Sequence, residues 1–244
     1  MIKRLKCIVS YDGSRFQGYQ RQINQRTVQG EIEKALKIIN KEPITIHSSG
    51  RTDSRVHAYG QVFHFDSKLD IKMENWKKAI NSILPKDIYI KKVDIVDQDF
   101  HARFSAKKKE YRYYISLNEY NPIRSQYVCF INRKIELNLI EKALNLFEGT
   151  HDFTSFSSGQ HVEKNKVRTI YEAKLNVKDK ELEFIFIGNG FLRYQVRIMM
   201  GTLIEIGLGK KEINIIEYLF NNYDRAKARY TAEAQGLYLY NVEY

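Results

Sequence analysis

The chain has 244 residues, 43% of them hydrophobic, which is enough for one large domain or two small ones. Lys and Arg number 40 against 29 Asp and Glu, a net charge of +11 spread from Lys3 to Arg229, which suits a polyanion laid across a folded surface better than a basic tail. Two cysteines exclude a disulfide framework and a multi-thiolate zinc site, and no apolar segment is long enough to span a membrane.

Residues 3–11 alternate, with Leu5, Cys7, Val9 and Tyr11 on one side, and read as a strand. The apolar run in it is too short for a signal peptide, so the expected compartment is the cytosol. A polar, basic loop follows. Thr27 is a plausible N-cap for a helix with the stripe Ile32, Ala35, Leu36 and Ile39, ended by Pro43. Ile44–Ile46 begins a second strand and residues 60–66 form a third. Trp76, Ala79, Ile80 and Ile83 mark a second helix, and residues 87–96 a fourth strand. This order is β-α-β-β-α-β, the ferredoxin-like arrangement.

The second half repeats the pattern. Residues 109–117 read as a strand, and Ile140, Ala143, Leu144 and Phe147 as a helix stripe. Strands at 167–177 and 181–188 flank the turn Lys178-Asp179-Lys180. Leu192, Val196, Met199, Leu203 and Ile206 line a longer helix, with Arg193 and Arg197 sharing its opposite face. A short helix is expected at 211–221 and a closing strand from Gly236. The expected fold is α+β. Two ferredoxin-like halves, residues 1–104 and 105–244, would merge into a central, mainly antiparallel sheet with a basic cleft between them.

The stretch that carries chemistry is Gly50-Arg51-Thr52-Asp53-Ser54-Arg55-Val56-His57-Ala58. It is a polar turn with an acid between two arginines, ahead of a strand. Nearby cations favour the ionised carboxylate. Asp in such a turn commonly bonds only its own backbone, so the turn alone leaves structural and chemical roles open. The 17 Tyr and 13 Phe beside the cations favour RNA, whose exposed bases stack on aromatic rings.

Gly-Arg-Thr-Asp followed by Val-His-Ala closely resembles the signature of the tRNA pseudouridine synthase A family. Four further motifs resemble it in the right order. They are Tyr11-Asp12-Gly13 through Gln20, Phe100-His101-Ala102-Arg103-Phe104-Ser105-Ala106 running on to Glu110-Tyr111-Arg112-Tyr113-Tyr114, Gly190-Phe191-Leu192 through Arg197, and Thr231 through Leu239. His151-Asp152-Phe153 also fits, as loop architecture shaping the cleft. The chain departs from the family at Tyr19 (usually Trp), Ser54-Arg55 (usually Ala-Gly) and Glu233 (usually Pro). These positions lie in loops expected to touch RNA.

The resemblance implies isomerisation of uridine to pseudouridine at positions 38, 39 and 40 of the tRNA anticodon arm, by a homodimer, with no cofactor and no metal. It implies Asp53 as covalent nucleophile, attacking either ribose or uracil. Tyr111 would stack on the base, Arg197 pair with Asp53, Arg51 hold the displaced strand or flipped nucleotide, and Leu237 or Leu239 wall the pocket. The residues alone do not prefer Tyr111 over Tyr113. Two other functions fit the same composition: an RNA-binding module without catalysis, and a paralogous synthase acting on a different RNA.

Overall fold

The computed structural model describes residues 2–158 and 165–244. They form two compact units, one made of residues up to Lys107 together with Tyr238–Tyr244, the other of Lys108–Leu237.

In the first unit, strand β1 (Lys3–Tyr11) buries Leu5, Cys7, Val9 and Tyr11, as its alternation requires. Helix α1 (Val28–Asn40) is capped by Thr27, whose hydroxyl accepts from Gly30 N. It ends at Lys41, a left-handed residue (φ 56°), two residues before Pro43. The strand expected at Ile44–Ile46 does not form. The Ile46 amide donates to the Glu33 carboxylate on α1 (3.2 Å) rather than to a ladder, so β2 is only His47–Ser48. Strand β3 (His57–Ser67) starts three residues earlier than alternation indicates. Helix α2 (Met73–Ile83) buries Trp76 and Ile80, and β4 (Ile88–Val96) completes the run. The order β4-β1-β3 is antiparallel throughout, with β2 antiparallel on β3.

The second unit holds β5 (Lys108–Ser116), β6 (Cys129–Phe130), α3 (Leu137–Asn145), β7 (Gly149–Asp152), β8 (Val167–Lys178) and β9 (Glu181–Gly188). Helices α4 (Gln195–Gly207) and α5 (Ile215–Asn222) follow. Its sheet runs β5-β9-β8-β7, all antiparallel, with β6 parallel to β5. Tyr111 lies opposite Phe186 and Tyr113 opposite Phe184, so one sheet face is aromatic. The other face carries Arg112, Tyr114 and Glu183 in one hydrogen-bonded group. Helix α4 is buried nearly all round. The apolar stripe is therefore only part of its buried surface, because most positions between are small or apolar and buried too.

The last strand, β10 (Leu237–Glu243), leaves the second unit after Leu237. In the first unit it lies parallel to β3, with Tyr238 opposite His57 and Leu239 opposite Ala58. The fold is thus α+β with mainly antiparallel strands. None of the helices among the described residues is long and apolar enough to cross a membrane.

Candidate active site

Asp53 sits half-buried on the turn between β2 and β3. The turn closes on itself through Val56 N donating to Asp53 O (3.2 Å). The rest of its backbone is fastened to residues 11–19. Tyr19 N donates to Thr52 O (3.0 Å), Arg55 N to Phe16 O (3.3 Å) and Ser54 Oγ to the same carbonyl (3.1 Å). Tyr11 and Thr52 share a buried hydroxyl hydrogen bond of 2.7 Å, and Gly13 N donates to His57 Nδ1 (3.0 Å). Upstream, Gln61 joins Ser49 Oγ (2.6 Å) and Gly50 O (3.0 Å).

The close approach depends on two glycines. A Cβ on Gly13 would stand 2.0 Å from Val56 O. Gly18 is left-handed (φ +95°), and a Cβ there would meet Thr52 O at 3.0 Å. The motif Tyr11–Gln20 therefore supports the Asp53 turn. Tyr19, expected in an RNA-touching loop, is 1% exposed and belongs to this support. A large ring at that position fills the space under the turn, which is what a Trp would also do.

Arg55 is left-handed as well, at φ 66°, and its side chain is exposed. This conformation costs a residue with a Cβ on the order of 1 kcal/mol. Arg51 is exposed on the other side of Asp53.

In the second unit the structure separates the two tyrosines that sequence leaves equivalent. Tyr113 is 0% exposed, and its hydroxyl donates to Glu233 O (2.9 Å). Burial drives that hydroxyl's pKa far above the phenol range. Tyr113 is core. Tyr111 keeps 8% exposure, with its ring edge-on to Phe191 at 5.1 Å.

Arg197 lies in the first turn of α4. Its Nε donates to Ala232 O (2.8 Å), and its carbonyl accepts from Ala232 N (2.9 Å). The expected face shared by Arg193 and Arg197 does not exist. Tyr194 is left-handed (φ 64°) and the helix begins only at Gln195, which puts Arg193 outside it. Instead the two guanidinium groups lie 5.0 and 5.1 Å from the Tyr194 ring. Leu237 is 6% exposed in this unit, whereas Leu239 is fully buried in the other.

His151 and Asp152 lie on strand β7 rather than a loop. The His151 ring stacks on Phe220 at 4.3 Å, and Asp152 accepts from Thr154 N and Oγ1. Glu233 has φ −59°, which is the proline value. The departure at that position therefore leaves the backbone path as a proline would set it. Sequence reasoning missed His57 and Gln61 as supports of the turn. Their signal is only that polar residues occupy a strand whose neighbours are buried.

The model for tRNA pseudouridine synthase matches residues 7–105 and 143–244. The chain belongs to the tRNA pseudouridine synthase family. A tRNA pseudouridine synthase A of a Geobacillus species (strain WCH70) is 49% identical, over 100% of this chain and 99% of its own. That of Oceanobacillus iheyensis is 49% identical over 100% and 97%, and that of Anoxybacillus flavithermus 46% over 100% and 99%. Among solved structures, a chain of a Cbf5-Nop10-Gar1 complex aligns at 10% identity over 82% of this chain and 54% of its own. Its TM-score of 0.34 is too low to bear on fold or function. The Asp53 turn and its glycine-cradled support lie within the residues that the pseudouridine synthase model matches.

Proposed function

We propose that this protein isomerises uridine to pseudouridine in tRNA, at positions 38, 39 and 40 of the anticodon arm. The carrying observation is the Asp53 turn, a short carboxylate whose flanking backbone is fixed by hydrogen bonds on both sides. A nucleophile needs that fixity, because misplacement of about 1 Å costs roughly 100-fold in rate.

The reaction breaks the bond from C1′ to N1 and forms one from C1′ to C5. N1 gains a proton and C5 loses one, so the atoms balance without a cofactor. Asp53 is the covalent nucleophile, on C1′ of the ribose or on C6 of the uracil; both routes split one hard step into two easier ones. The uracil must be held while it turns. Tyr111 serves as the aromatic face, a role worth about 1–3 kcal/mol per stacked base and one its residual exposure allows. Arg197 supplies a guanidinium, whose planar fork suits a carboxylate or a phosphate. Arg51 holds the flipped nucleotide or its displaced strand, and Leu237 is a wall of the pocket. The protein works as a homodimer in the cytosol.

Tritium release from tRNA transcripts labelled at C5 of uridine tests the chemistry directly, because forming the new bond expels that hydrogen. Release by the wild type and a loss of at least 1,000-fold in Asp53→Ala, with tRNA binding retained, is the expected result. Intact binding with no release from a full set of tRNAs would overturn the tRNA assignment; other RNAs would be tested next, ahead of the binding-module reading. Release that survives in Asp53→Ala would remove Asp53 as nucleophile.

A further inference from the structure

Three arginines lie on the Asp53 turn and on the segment bonded to it: Arg51 and Arg55 on the turn itself, and Arg15 on the 3-10 turn Gly13–Arg15, between Gly13, which packs on Val56, and Phe16, whose carbonyl accepts from Arg55 N. All three are exposed. Elsewhere Arg4, Arg21, Arg26, Arg112 and Arg124 each meet a carboxylate. Among the described residues, the side chains of Arg15, Arg51 and Arg55 make no hydrogen bond or ion pair. A guanidinium has five donors in a fixed fork, and a group of three such forks is the chemistry of a phosphate contact.

Arg55 stands out within the group. Its backbone holds a left-handed φ of 66°, which a side chain makes less comfortable than glycine would. Its exposed side chain gains no packing in return. The conformation is enforced from outside, by Arg55 N on Phe16 O and by Val56 N on Asp53 O. Two residues span at most about 7 Å, so the root of the Arg55 side chain is fixed that close to the Asp53 backbone. A strained residue at a functional site points to a role that the strain serves. A nucleotide drawn out of the stack needs its backbone held beside the reacting sugar.

We infer that Arg55 binds a phosphate of the RNA backbone next to the nucleotide on which Asp53 acts. This rests on the tRNA reading above, and it gives the chain a contact that a glycine at this position could not make.

The test measures tRNA affinity across a potassium chloride series for wild type, Arg55→Gly and Arg55→Lys, with a thermal melt of each. Arg55→Gly is expected to bind about five- to tenfold more weakly at low salt, with its log–log salt slope smaller by about 1. The same variant melts roughly 2 °C higher, because the left-handed strain is gone. Arg55→Lys keeps the charge and recovers the slope, with a melting point near that of the wild type. The opposed movement of stability and binding is the signature, since a merely structural role moves both together or binding not at all. An unchanged slope in Arg55→Gly overturns the phosphate contact, whatever its affinity. Tritium release by the wild type in the same samples separates the two claims. Release with an unchanged slope removes this contact alone, and no release removes the reading beneath it.

Discussion

The Asp53 turn and the start of α4 are built by opposite means. Around Asp53 the main chain does the holding. Residues 52, 54, 55 and 56 each make a hydrogen bond within the turn or to the preceding loop, and two glycines let the strands of chain touch. At α4 no side chain caps the helix. Two guanidinium groups lie over the Tyr194 ring, Gln195 Oε1 accepts from Leu192 N (2.8 Å), and Arg197 is tied to Ala232 from both its backbone and its side chain. The difference follows from the two side chains. A carboxylate on one methylene inherits its position from its Cα. A guanidinium on a long stem carries about 2 kcal/mol of rotamer entropy and must be held along its length.

Matched glycine substitutions test this contrast most severely. A Cβ at Gly13 would fall 2.0 Å from Val56 O, and one at Gly201, inside α4, 2.2 Å from Tyr230 O. Both Gly→Ala variants are expected to lose about 2–3 kcal/mol in urea melts, since backbone must move in each case. Their kinetics should part. Gly13→Ala shifts the turn itself and should cost 100-fold or more in single-turnover rate. Gly201→Ala strains chain that Arg197 can follow, through its bonds to Ala232, and should cost tenfold or less. Equal kinetic losses would end the distinction.

Acid separates the two units next. Burial, then His101, His47 and Arg4, push His64 down from its ordinary 6.5 to about 4. The folded first unit therefore binds fewer protons than the unfolded chain. Its stability is full above about pH 6.5 and declines as pH falls toward 4. In the second unit Glu181 is held below its ordinary 4.5, chiefly by its hydrogen bond from Arg124. Burial works against Glu183, but hydrogen bonds from Asn176, Arg112 and Tyr114 outweigh it. Those contributions persist until pH drops below the carboxylate range. Amide exchange, corrected for intrinsic rates, should rise between pH 6.5 and 5 in β1 and β3 and stay level in β5 and β9. A parallel rise in both would contradict the assignment. The smallest effect is expected at Glu233→Pro, where φ already suits the ring: a gain of about 0.5 kcal/mol, read as a rise in melting temperature. A loss there would mean that the Glu233 carboxylate's bond to Gln235 outweighs backbone preorganisation.

The elements with strong periodicity were legible in the sequence. β1, α1, α2 and β9 fall where alternation or a helical stripe puts them, because each buries one face only. The two-residue strand β2 was not, since the fate of Ile44–Ile46 is decided by Glu33, a residue on another element. The start of α4 was misread for a related reason. An i, i+4 rule presumes a helix, and the left-handed Tyr194 delays it. At the site, the Asp53 motif was legible as a resemblance, but its support was not. The hydrogen bonds from residues 16–19 to 52–55 link segments whose sequences carry no mark of one another. That Tyr113 is fully buried while Tyr111 keeps some exposure is likewise something two tyrosines on alternate positions cannot announce.

The route of β10 bears on how the molecule is made. The second unit is one unbroken run of chain, whereas the first is closed by Tyr238–Tyr244. As the polypeptide is made, β3 must wait for its parallel neighbour until the whole second unit has been synthesised. His57, four residues past Asp53, meets Tyr238 only when almost everything between them has been synthesised. Closing so long a loop is slow and entropically costly. The neighbourhood of Asp53 is therefore among the last parts of the chain to mature.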